Sequence, residues 1–92
     1  MKRIVASRRF QKHLDDLPAD RLEKTLETIE AFRVAIHEGL LPKGLGLKKI
    51  SRNKYEIRVD LKTRIGIMED GEIFVLDLIG NHEDIKNFLR NY

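Results

Sequence analysis

The stretch from Tyr55 to Asn87 constrains this chain more than any other part of it. It reads YEIRVDLKTRIGIMEDGEIFVLDLIGNHEDIKN. Tyr55–Val59 alternates apolar and charged residues, Thr63–Glu69 returns, and Glu72–Ile79 is apolar on both faces except at Asp77. Such patterns predict two half-buried strands and one central strand. Asp60-Leu61-Lys62 and Asp70-Gly71 supply the turns, the second being the strongest hairpin signal in the chain. Gly80 then stops the last strand. Asn81, with Asp84 three residues on, predicts a reciprocally capped helix running to about Asn91.

Turn lengths predict the registers. With Asp70-Gly71 as a two-residue loop, Ile67 opposes Phe74, Ile65 opposes Leu76, Gly66 opposes Val75 and Arg64 opposes Asp77. With Asp60-Leu61-Lys62 as a three-residue loop, Val59 opposes Thr63 and Arg58 opposes Arg64. Directly opposed residues share a face. Tyr55, Ile57, Val59, Ile65, Ile67, Phe74, Leu76 and Leu78 then form one apolar face. Glu56, Arg58, Arg64 and Asp77 gather on the other, around a Gly66 that leaves room for a ligand. A one-residue slip in either hairpin would bury an arginine and expose an isoleucine.

The N-terminal half predicts what covers the apolar face. Lys2–Ala6 reads as a first strand. Ser7 caps a short helix whose Phe10, His13, Leu14 and Leu17 recur at helical spacing. Pro18 breaks it, and Arg21–His37 forms a long amphipathic helix with Leu22, Leu26, Ile29, Val34 and Ile36, stopped by Gly39. The Gly- and Pro-punctuated segment LLPKGLGL (40–47) connects this αα-hairpin to a strand over Leu47–Ser51. The fold class is therefore α+β: a helical hairpin on a small, mainly antiparallel twisted sheet, with a C-terminal helix.

Ninety-two residues, 41% hydrophobic and 36% charged, make a single domain spanning 1–92 with little apolar surface to spare. There is no cysteine, so disulfides and thiolate metal sites are excluded. Without a signal-peptide or membrane-spanning run, the reading is a soluble cytoplasmic protein. No pattern for a metal or other cofactor is present. The net charge is only +3, but its distribution is uneven. Eight Lys or Arg residues lie between Pro42 and Arg64, whereas Glu69–Asp84 carries six acidic residues and no Lys or Arg. A basic stripe beside an acidic end is the footprint of a surface that holds an anion. His13 and His37 lie on helices without a partner at metal-ligand spacing.

The order helix, helix, strands, with arginines in YEIRVDLKTRIGIM and GNHEDI after the last strand, resembles the RelE/ParE toxin superfamily of type II toxin–antitoxin pairs. The resemblance covers essentially the whole chain. IGNHEDIKNF is similar to the histidine-bearing RelE-like branch, in which the last strand ends in G-x-H near an acidic residue. What the resemblance implies is a ribosome-dependent mRNA endoribonuclease (an mRNA interferase) that uses the RNA's own 2′-OH as nucleophile.

Such a reaction needs a base for the hydroxyl, cations for the phosphorane and an acid for the leaving oxygen. By resemblance, Arg64 stabilises the transition state, Arg58 binds phosphate and His82 is the general acid; Glu56 departs from the family, standing at a position often basic in the RelE group, and is here the candidate general base. Lys48, Lys49 and Lys54 are candidates for RNA contact, with Phe88 or Tyr92 as the aromatic that stacks on a base. The implied partners are a cognate antitoxin protein, mRNA on the ribosome and, for the toxin–antitoxin complex, operator DNA. Two alternatives stay open: a ParE-like gyrase-directed toxin without nuclease activity, and an inactivated antitoxin-binding relative. Asp77, expected opposite Arg64, either holds that arginine or cancels its charge.

Overall fold

A computed structural model describes residues 3–39 and 48–90. Its elements are β1 (Arg3–Ala6), α1 (Arg8–Asp15), α2 (Ala19–His37), β2 (Lys48–Ser51), β3 (Lys54–Arg58), β4 (Arg64–Asp70), β5 (Ile73–Gly80) and α3 (His82–Arg90). The five strands form one sheet in the order β1-β5-β4-β3-β2. β1 runs parallel to β5, and the other pairs are antiparallel. The α+β architecture read from the sequence is the one observed. The expected connection at 40–47 lies outside the described residues.

Local chemistry sets the helix ends. The Ser7 side chain accepts the Phe10 N–H at 3.0 Å, satisfying an amide that the first turn of α1 would otherwise leave open. Pro18 occupies the N-cap of α2, and Gly39, at φ +72°, ends that helix in a conformation glycine adopts without strain. At α3 the reciprocal cap forms as read: Asp84 N–H donates to Asn81 Oδ1 at 2.9 Å, and Asn81 N–H donates to Asp84 Oδ2 at 2.8 Å. The stripe that α2 turns inward is Thr25, Ile29, Phe32 and Ile36. Leu26 and Val34, expected on that stripe, are instead exposed.

The two hairpins differ in how they follow their turns. In β3–β4 the register is the expected one, with Tyr55 opposite Ile67, Glu56 opposite Gly66, Ile57 opposite Ile65 and Arg58 opposite Arg64. In β4–β5 it is not. Asp70 pairs with Ile73, so Gly71 and Glu72 form the loop. Of these two loop residues only Gly71 has positive φ, at +58°, as a II′ loop with glycine at its first central position requires. Ile67 then pairs with Leu76 and Gly66 with Leu78, leaving Asp77 as an extra residue in a β-bulge. Past the bulge Ile65 faces Ile79 and Arg64 faces Gly80.

The bulge exchanges the faces of the last part of β5, and the molecule consequently has two apolar clusters. Phe10, Phe32, Ile57, Ile65, Ile67, Phe74, Leu76 and Ile79 pack beneath the helical hairpin. Leu78, expected there, points to the opposite face and packs with Ile85 and Phe88 of α3. Gly66 leaves no room for a ligand: a Cβ there would lie 3.1 Å from both Leu78 Cγ and Phe88 Cδ2. What the missing side chain admits is the ring of Phe88.

Candidate active site

β3, β4 and β5 place Arg58, Arg64 and Gly80 in one row across the sheet. Neighbouring members of such a row have Cα atoms about 4.5–5.5 Å apart. His82 follows Gly80 by two residues, at the first helical position of α3, and is exposed. The displaced loop and the bulge together move the partner of Arg64 from the expected Asp77 to Gly80, three residues nearer His82 in sequence, two of them from the loop and one from the bulge. Arg58 is exposed, with no carboxylate in ion-pair reach among the described residues.

Arg64 does not pair with Asp77. Its Nε lies 3.6 Å from Glu56 Oε2, with side chains 16% and 15% exposed. That distance gives charge attraction without a hydrogen bond, and both atoms are buried and unbonded. The guanidinium is thus charge-compensated but holds a donor in reserve. Asp77 binds Arg9 instead, accepting from Nη2 at 2.8 Å. Ser7 Oγ and Arg9 Nε both donate to the Asp77 carbonyl, at 3.1 and 3.2 Å. Ile79 N–H donates to His13 Nδ1 at 3.2 Å. These contacts have one cause. β1 pairs with β5 only as far as Leu76, so side chains of α1 and of the turn before it satisfy the backbone groups that the bulge leaves open.

Gly80 is required by the helix that follows. The side chain of Asp84, folded back to cap Asn81, occupies the place a Cβ of residue 80 would take.

Two residues read as RNA contacts are committed elsewhere. Lys54 is 2% exposed. Its ammonium donates to the carbonyls of Phe88 at 2.7 Å and Leu89 at 3.4 Å, at the C-terminal end of α3, and stands 4.8 Å from the Phe88 ring centre. A cation there complements the helix dipole, while burial holds the amine below its ordinary value against the opposing pull of Asp77. Phe88 is 2% exposed and is core to α3, so in this state it offers no ring for stacking on a base. Lys49 is exposed and lies 5.7 Å from the Tyr55 ring centre. The Lys48 side chain and Tyr92 lie outside the described residues.

The roles of Arg9 and His13 were absent from the sequence reading. The available signal was Asp77 itself, a lone charge within an apolar strand, which marks a break in strand parity.

No protein-family model and no curated protein sequence matches the chain. Solved structures do. A chain of the RelB–RelE antitoxin–toxin complex from Methanococcus jannaschii superposes with a TM-score of 0.69 at 24% identity, covering 91% of this chain and 96% of that one. The fold is RelE-like. A chain of the Escherichia coli DinJ–YafQ complex matches at TM-score 0.65 and 13% identity, covering 92% of this chain and 98% of that one. The YoeB dimer of Staphylococcus aureus matches at 0.63 and 16%, covering 88% and 97%. At these identities the likeness is one of fold.

Proposed function

We propose that this RelE-like protein is the toxin of a type II toxin–antitoxin pair and cleaves mRNA on the ribosome. The observation that carries the reading is the row Arg58–Arg64–Gly80 leading directly to His82, with a buried, unbonded Nε on Arg64. In the reaction the 2′-OH of one nucleotide attacks the adjacent phosphorus, and the 5′-oxygen of the next leaves, giving a 2′,3′-cyclic phosphate and a 5′-hydroxyl. Glu56 takes the 2′ proton, Arg64 balances the charge of the phosphorane, Arg58 binds the phosphate from the exposed side, and His82 protonates the leaving oxygen. A cognate antitoxin holds the toxin inactive by laying a helix across it.

A second reading rests on the Glu56–Arg64 pair. A carboxylate 3.6 Å from the central guanidinium offsets its charge, which suits a ParE-like protein that binds gyrase and does no RNA chemistry. Expressing the chain and mapping mRNA 5′ ends during translation separates the two. The nuclease reading expects cuts at fixed codon positions, reduced about 100-fold or more by Arg64→Ala and by His82→Ala. Intact mRNA accompanied by gyrase-dependent DNA breaks would establish the second reading in its place.

A further inference from the structure

Among the described residues, the exposed His82 side chain has no hydrogen-bond or ion-pair partner. Its place is therefore set by the backbone that leads into it. We propose that His13, on α1, is a positioning residue for the reaction centre. By accepting the Ile79 N–H it holds β5 in the bulged register that puts Gly80 opposite Arg64, with His82 just beyond. This rests on the mRNA-cleaving reading.

Strand parity shows why the bond matters. The Leu76 carbonyl turns toward the β1 side, where the Ser7 N–H donates to it at 2.9 Å. In an unbroken strand Leu78 would be the next residue to face that side. With Asp77 inserted as the bulge, Ile79 takes its place. β1 has ended by then, its last partner on β5 being Leu76. The amide of Ile79, a residue 8% exposed, would meet no strand there, and His13 Nδ1 supplies the acceptor at 3.2 Å. As an acceptor Nδ1 carries no proton, so the ring N–H is at Nε2. Ser7 and Arg9 also brace this strand, but their bonds stop at Asp77. A cavity of about 260 Å³ opens beside Ile79, between His13 and the α3 residues Asp84 and Asn87. The backbone there has room to shift once the bond is lost.

The competing register identifies what the bond selects. Without the bulge, the pairing of Asp70 with Ile73 would extend to Arg64 opposite Ile79. Leu78 and Ile79 would exchange faces. His82 would stand one residue farther along the sheet from Arg64, a displacement of about 3.3 Å. In a reaction centre, misplacement by about 1 Å can cost roughly 100-fold in rate.

The test compares two substitutions with a control. His13→Leu keeps bulk but has no acceptor, whereas His13→Asn offers Oδ1 in the place of Nδ1. Leu14→Ala loosens α1 against the core without touching the bond, and so reports a merely structural role. With mRNA on ribosomes as substrate, His13→Leu should lower kcat by about tenfold or more at unchanged KM. His13→Asn should stay within about threefold of wild type, and Leu14→Ala should lower the urea midpoint while leaving kcat of the folded protein unchanged. By NMR, the Ile79 amide should lose exchange protection and the Gly80 and His82 amides should shift in His13→Leu, with wild-type behaviour restored in His13→Asn. Unmoved amides in His13→Leu overturn the proposal even where the wild type cleaves mRNA. So does an equal loss of kcat in all three variants. A wild type that cleaves nothing removes the nuclease reading instead, while displaced Gly80 and His82 amides rescued by His13→Asn still establish His13 as the residue that sets this strand end.

Discussion

The two faces of the sheet are built on different terms. Beneath the helical hairpin, eight buried apolar residues from α1, α2 and three strands form one cluster, with residues such as Ile29, Ile36 and Tyr55 closing its rim. On the α3 side the buried apolar cluster among the described residues is Leu78, Ile85 and Phe88, flanked by Ile50 and Met68. Beyond them the same face carries Glu56, Arg58 and Arg64. One face supplies stability; the other divides its area between a small apolar seat for a nine-residue helix and a charged row open to a ligand. An element seated on three buried side chains and one lysine can open by itself while the rest stays folded. That places the boundary of the proposed site on the helix seated on the smaller of the two apolar clusters.

Paired substitutions test this asymmetry most strongly. Phe32, 1% exposed and packed edge-on against Phe74 at 5.6 Å, belongs to the hairpin side. Phe32→Ala should lower global stability by about 3–5 kcal/mol in urea denaturation. Phe88 is equally buried, yet Phe88→Ala should lower it by no more than about 2 kcal/mol, because undocking of α3 caps the loss. Hydrogen exchange should show α3 amides losing protection in Phe88→Ala while β4 amides keep theirs. Equal losses, with α3 exchanging only through global unfolding, would show that the two faces form one cooperative unit.

A smaller change sharpens the same contrast. Gly66→Ala introduces a methyl 3.1 Å from Leu78 Cγ and Phe88 Cδ2, closer than ordinary van der Waals contact. The strand backbone cannot yield, so α3 must. The expected loss is about 1–2 kcal/mol, appearing as faster exchange in α3 with the Ile57 and Ile65 amides unchanged. Unaltered α3 protection would mean that the Phe88 seat is looser than its geometry.

The same division decides how much of the molecule was legible in its sequence. The β3–β4 hairpin was, because its register is determined within the turn: Val59 N–H donates to the Thr63 carbonyl at 2.9 Å, and Asp60 holds the loop between them. That hairpin also places Glu56 beside Arg64. The β4–β5 register was not legible. Moving the loop from Asp70-Gly71 to Gly71-Glu72 shifts the pairing by two residues and preserves the faces, so Ile67 and Leu76 stayed in the core. The bulge at Asp77 then reversed them, sending Leu78 to α3 and Ile79 to the core. Its support comes from Ser7, Arg9 and His13, 66 to 70 residues away. No local pattern encodes a contact of that separation. The charged row was therefore readable, whereas its proximity to His82 and the cavity behind it required the three-dimensional structure.

The smallest effect expected concerns the turn that made the readable hairpin readable. Asp60 Oδ1 accepts the N–H groups of Lys62 and Thr63, both at 2.8 Å. The Lys62 bond, then those from Thr63, hold its carboxyl below the ordinary aspartate value despite partial burial, with a minor contribution from Arg21. A carboxyl whose folded value is depressed stabilises the protein above the unfolded value, about 3.9, and loses that contribution as pH falls through the folded value. Asp60→Asn retains an acceptor oxygen but not the charge, so at pH 7 it should cost only a few tenths of a kcal/mol. Urea midpoints of the two proteins should differ at pH 7 and pH 5, and the difference should shrink once pH falls below the unfolded aspartate value and on through the depressed folded value of Asp60. A difference that persists undiminished at pH 2.5 would assign the turn's strength to the shape of the Asp60 side chain rather than to its charge.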